Sequence, residues 1–97
     1  MVKYLENENL NDLIKNGIVI VDFYAEWCGP CKMLGPVLET LSVDVIKVNV
    51  DIHNELAIKN GVMSVPTVFI YKNGELNSKF IGFRTKDEIE EILKNIK

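Results

Sequence analysis

The 97 residues make one domain, 1–97, close to the commonest domain size and able to hold a single hydrophobic core. A hydrophobic fraction of 47% with 26% charged residues is that of an ordinary soluble globular protein, and a formal net charge of −3 argues against nucleic acid as a partner. No run approaches the ~20 apolar residues of a membrane span, and Met1 to Glu8 lacks the apolar core of a signal peptide and the acid-poor character of a transit peptide, so the chain is expected to stay in the cytoplasm, a reducing compartment.

Val2 to Leu5 fits a short opening strand, and Asn7 to Asn16 places Leu10, Leu13 and Ile14 at helical spacing with Gly17 as the stop. Ile18 to Tyr24 is almost continuously apolar and β-branched, which predicts a central strand covered on both faces; Asp22 interrupts it. Trp27-Cys28-Gly29-Pro30-Cys31-Lys32 follows and contains both cysteines of the protein. Met33 to Leu41 then reads as a helix with Met33, Leu34, Val37, Leu38 and Leu41 apolar, and Pro36 inside it removes a hydrogen bond and bends the axis. Val43 to Val50 is a second apolar strand, Asn54 to Asn60 a short helix ended by Gly61, and Thr67 to Tyr71 a third strand. Asn73-Gly74 is a strong hairpin signal, with Glu75 to Ile81 as the returning strand. Thr85-Lys86-Asp87-Glu88 has the form of a capping box that opens a last helix, with Ile89, Ile92, Leu93 and Ile96 on one face. This alternation predicts an α/β fold, a central mixed sheet with helices on both faces.

Two thiols separated by two residues, at a strand-to-helix junction, are the pattern of a dithiol/disulfide redox centre. The spacing lets Cys28 and Cys31 close a small ring, and it puts one sulfur by the first turn of the helix. Unpaired backbone N–H groups and the helix dipole there stabilise a thiolate, which is the nucleophilic form. A structural disulfide is a weaker reading, because so small a ring removes only ~2 kcal/mol of denatured-state entropy. A zinc site is the other alternative, but His53 is the one further soft donor in the sequence. His53 itself sits in a polar stretch without a partner pattern and reads as a surface residue. Asp22 among Ile20, Val21, Phe23 and Tyr24 is costly to bury unpaired; either it reaches water at the strand end, or it lies behind the motif and exchanges a proton with Cys31.

The segment Asp22-Phe23-Tyr24-Ala25-Glu26-Trp27-Cys28-Gly29-Pro30-Cys31-Lys32 resembles the active-site segment of the thioredoxins, and the element order is similar to theirs over essentially the whole chain. The resemblance implies the thioredoxin fold and favours the proton-exchanging role for Asp22. It aligns Lys47 with a lysine near that carboxyl, although a lysine alternating with apolar residues reads equally well as the solvent side of a strand. It implies a cis bond before Pro66, with the Val65 backbone set beside Cys28 to pair with an extended substrate segment. It implies that Trp27 shapes the rim of the site, and that Gly29, Pro30, Gly61, Val62 and Gly82 form a small apolar platform for the substrate. Glu26 and Lys32 read as solvated residues able to tune the thiolate by charge. One departure is the short stretch from Pro36 to Lys47, where bacterial members carry about two more helical turns; it is expected to affect stability more than chemistry.

The function so implied is that of a monomeric protein-disulfide reductase. Cys28, expected to be the more exposed cysteine, attacks a disulfide of a partner protein, and Cys31 resolves the mixed disulfide with Asp22 taking its proton. No cofactor or metal is expected, because the dithiol carries the electrons. A thioredoxin reductase restores it, by family habit an NADPH-dependent flavoenzyme, with a ferredoxin-linked donor as the alternative. The rival classes are a thioredoxin-fold oxidant or isomerase, which Gly29-Pro30 and the N-terminus disfavour, and a non-enzymatic subunit in which the thiols are incidental.

Overall fold

In the computed structural model, which describes residues 1–96, strand β2 (Ile18–Tyr24) forms the middle of a five-stranded sheet. Its β-branched, apolar sequence suits a strand buried on both faces, and every residue from Val19 to Tyr24 is buried. The other strands are β1 (Val2–Tyr4), β3 (Asp44–Asn49), β4 (Thr67–Lys72) and β5 (Glu75–Ile81), in spatial order β1-β3-β2-β4-β5. The β1–β3 and β3–β2 pairs are parallel, and β2–β4 and β4–β5 are antiparallel, so the sheet is mixed as expected.

Alternation along the strands sends side chains to two cores. Val19, Val21 and Phe23 of β2 meet Ile46, Val48 and Phe69 under helices α1 (Leu10–Leu13) and α3 (Asn54–Lys59). Ile20 meets Val45, Val68, Ile70 and Phe80 under α2 (Gly29–Glu39) and α4 (Lys86–Lys94), which supply Leu34, Leu38 and Ile89. Asp22, two residues beyond Ile20, therefore faces the α2 side. It stands in register between Lys47 of β3 and Val68 of β4.

Two helices differ from the sequence reading. The first is a single turn rather than a span from Asn7 to Asn16, because side chains ahead of it capture the backbone: Glu8 accepts from the Glu6 N–H at 2.8 Å, and Asn9 caps the helix by accepting from the Asn11 N–H at 2.9 Å. The second begins at Gly29 rather than Met33, so the cysteine motif is its first turn; Pro30 fits there, where no N–H is needed. Pro36 lies inside this helix, which continues to Glu39, and β3 begins at Asp44. The Asn73-Gly74 turn forms as read, with both residues at positive φ, and Asn73 ties it to Gly17 through Gly17 N–H to Oδ1 (2.8 Å) and Asn73 N–H to the Gly17 carbonyl (2.9 Å).

Candidate active site

Cys28 is the N-cap of α2 and Cys31 lies in its first turn, with the two sulfurs joined as a disulfide and the Cα atoms 5.2 Å apart. The Cys31 N–H donates to Cys28 Sγ at 3.2 Å, so the sulfur occupies the place of a capping oxygen and meets the positive end of the helix. Exposure does not separate the two cysteines as expected. Cys28 is 5% and Cys31 3% exposed, because Tyr24, Ala25, Val50 and Val65 pack around both.

The loop before β4 completes the front of the site. The Val65–Pro66 bond is cis, and the Val65 carbonyl oxygen lies 3.5 Å from Cys28 Sγ. Thr67, buried, donates its hydroxyl to the Ser64 carbonyl at 2.7 Å, and the Gly82 N–H donates to the Pro66 carbonyl at 2.9 Å. Gly82 takes φ +87°, a conformation that needs glycine, so the turn after β5 is brought against the Pro66 loop by backbone geometry. Gly29 and Pro30 are exposed beside the disulfide, Gly61 is exposed at the end of α3, and Val62 is half-buried.

Trp27 is not core: it is 70% exposed, and its indole N–H donates to Asp51 Oδ2 at 3.0 Å. Asp51 is itself placed by Asn49, whose buried side-chain oxygen accepts from the N–H groups of Asp51 (2.9 Å) and Ile52 (3.3 Å). Sequence reasoning missed both residues. Asn49 at the end of β3, two residues before Asp51, has the form of a side-chain-to-backbone turn and is the signal for that residue, whereas the bond of Asp51 to Trp27 spans 24 residues. An apolar groove of about 180 Å3 runs from Trp27 over Val62 and Val65 to Ile58 and Met63, which are 67% and 96% exposed and were also missed. His53 lies in the bend that leads into α3, as its N-cap residue, and is half-buried rather than a surface residue, with Nε2 2.9 Å from the Leu5 carbonyl oxygen.

On the face of β2 that α2 covers, Asp22 is fully buried, and among the described residues neither carboxyl oxygen has a hydrogen-bond partner. Removal from water pushes it up to about 6, a rise that Lys47 partly opposes. The Lys47 ammonium lies 3.8 Å from Asp22 Oδ2, too far for a hydrogen bond. Lys47 thus lies on the carboxyl side rather than the solvent side, with its side chain only 11% exposed. It packs under α2 at Gly35, where a Cβ would stand 3.6 Å from Nζ. Glu26 and Lys32 are exposed, as read.

A disulfide at a helix N-cap, an edge carbonyl within reach of one sulfur, and a buried carboxyl on the face that the same helix covers define a thiol–disulfide oxidoreductase of α/β architecture. The thioredoxin family model matches residues 1–95. A thioredoxin of Chlamydia caviae is 46% identical over 94 residues, covering 92% of each chain. Among solved structures, a point-mutant thioredoxin from Halobacterium salinarum superposes with a TM-score of 0.86 at 34% identity, covering 96% of this chain and 88% of that one. A structure described as the basis of the thiol resolving mechanism in yeast mitochondrial 1-Cys peroxiredoxin via glutathione/thioredoxin systems gives a TM-score of 0.86 at 34% identity, covering 98% and 95%. The chain belongs to the thioredoxin family and is a protein-disulfide reductase. Among the described residues no helix is long and apolar enough to cross a membrane.

Proposed function

We propose that this chain acts in the cytoplasm as a monomer and a single domain, 1–97, with Cys28 as nucleophile and Cys31 as resolving thiol, and that a thioredoxin reductase returns it to the dithiol form. The observation that carries the reading is the Cys31 N–H directed at Cys28 Sγ (3.2 Å) at the start of α2, since the same donor and helix end stabilise a Cys28 thiolate in the reduced protein. That thiolate attacks one sulfur of a substrate disulfide, forms the Cys28–substrate bond and expels the other substrate sulfur as a thiolate. Cys31 then gives its proton to Asp22 and attacks Cys28 Sγ. The mixed disulfide breaks, the second substrate thiol leaves, and two electrons have passed from the dithiol to the substrate.

Val65 supports the substrate role assigned to its backbone. Its carbonyl is 3.5 Å from Cys28 Sγ, so a strand laid along Val65 brings its own sulfur to the nucleophile. The substrate contacts in this reading are Trp27, Gly29, Pro30, Gly61, Val62, Pro66 and Gly82, and the groove from Trp27 over Val62 to Ile58 and Met63 adds an apolar side. The similar structure that concerns a 1-Cys peroxiredoxin makes such proteins one partner class to test.

Cys31→Ser should accumulate a covalent adduct through Cys28 with a disulfide-bonded test protein, released by added thiol, whereas Cys28→Ser should give none. Titration of the wild-type pair against a thiol buffer, followed by Trp27 fluorescence, should place its potential below that of the glutathione pool. An adduct through Cys31 would reverse the two roles, and a potential above the pool would make the protein an oxidant or isomerase.

A further inference from the structure

The Lys47 ammonium is held by more than Asp22. It lies 4.5 Å from the ring centroid of Tyr24 and 5.6 Å from that of Tyr4, both within cation–π range. The two rings meet edge to face, with centroids 6.0 Å apart and planes at 77°, so Tyr4 of the edge strand β1 also steadies the Tyr24 ring. On the third side α2 comes close at Gly35, whose missing side chain leaves room for the ammonium. Beyond the rings a cleft of about 130 Å3, lined by Tyr4, Tyr24, Glu26, Cys31 and Lys32, reaches Lys47. A lysine on a flexible four-carbon stem next to such an opening gains hydration by turning outward, toward water and Glu26. Asp22 alone does not hold it back, since no hydrogen bond joins them.

We propose that Tyr4 and Tyr24 are positioning residues whose ring faces keep the Lys47 ammonium inside, over Asp22, and thereby set how strongly that carboxyl holds its proton. The consequence for turnover rests on the reading of Asp22 as proton acceptor for Cys31. The titratable groups around the ammonium are Tyr4 from β1, Asp22 and Tyr24 from β2, Glu26 from the loop, and Cys31 and Lys32 from α2; β4 presents the apolar Val68. The cation nearby favours the ionised carboxylate, and desolvation opposes it. Loosening the lysine therefore raises the pH at which Asp22 titrates.

The test follows the Asp22 carboxyl by 13C NMR in the oxidised protein, where neither cysteine titrates. Tyr4→Leu should move the Asp22 midpoint upward by ~0.5 unit or more; Tyr4→Phe, which keeps a ring face, should leave it in place. In a Lys47→Met background Tyr4→Leu should have no effect. Tyr4 is 53% exposed, which favours folding of these variants. Phenylalanines of increasing fluorination at position 4 give the same test at nearly constant shape, with the midpoint rising as the ring face loses negative charge. An unchanged or lowered midpoint in Tyr4→Leu, or an equal rise without Lys47, would overturn the proposal. The pH profile of mixed-disulfide resolution is read separately. If the midpoint moves and that profile does not, the clamp stands and the role of Asp22 in resolving falls.

Discussion

With both oxygens of Asp22 out of water and unbonded, the folded protein holds that proton more tightly than the unfolded chain does. The folded carboxyl titrates at about 6, against ~3.9 when unfolded. Between those values the native state binds more protons than the unfolded state, so stability falls as pH rises through the window, and the full penalty remains above it. Asp22→Asn should therefore stabilise the protein at about pH 7.5 by up to ~3 kcal/mol more than at about pH 3.5. Urea unfolding of both proteins at the two pH values checks this; an equal difference at each pH would mean that ionisation of Asp22 is not the source. Sequence exposes the oddity of a carboxylate in an apolar run, but it does not choose between a solvated strand end and a buried group. That choice depends on α2 lying over the same face of the sheet. For Lys47 the two readings are evenly balanced in sequence, since alternation says which residues share a face and not what covers that face.

At the scale of elements, short-range chemistry is the readable part. The capping box at Thr85 forms with both of its bonds, Thr85 N–H to Glu88 Oε1 at 2.9 Å and Glu88 N–H to Thr85 Oγ1 at 3.2 Å. The hydrogen bonds hold the Glu88 carboxyl below its usual range. Thr85→Ala removes the cap and should cost about 1 kcal/mol, seen as a lower denaturation midpoint with an unchanged denaturant slope. A changed slope would point instead to α4 detaching before the rest unfolds. Both signals work because the residues they join, Thr85 with Glu88 and, across Asn73-Gly74, Lys72 with Glu75, lie three apart. The first helix is shorter than its hydrophobic spacing predicts for the converse reason: Glu8 and Asn9 bond the local backbone themselves, and spacing alone does not register that competition.

Across the whole molecule, β2 ties two cores into one fold, because its odd residues feed the α1/α3 side and its even residues the α2/α4 side. Phe23 is fully buried and packs edge to face with Phe69 at 5.5 Å. Phe23→Ala should cost about 3–5 kcal/mol, while Met63→Ala, at a position 96% exposed, should stay within about 0.5 kcal/mol. Denaturant unfolding of the two variants measures the contrast, and similar losses would mean that Met63 is covered in solution.

From the sequence alone came the alternation of strands and helices, the central apolar strand, the hairpin, the last cap and the paired cysteines, each encoded in a short window of residue types. The thioredoxin resemblance, carried by Asp22 to Lys32, added the order of roles in the site. Only the tertiary structure decided that Cys28 and Cys31 are about equally buried, that Trp27 leans on Asp51, that Ile58 and Met63 extend the groove, and that two tyrosines flank Lys47. The physical reason is distance along the chain. Tyr4, Asp22, Gly35 and Lys47 belong to four different elements, and parallel pairing of β1, β3 and β2 under α2 is what brings them to one ammonium group.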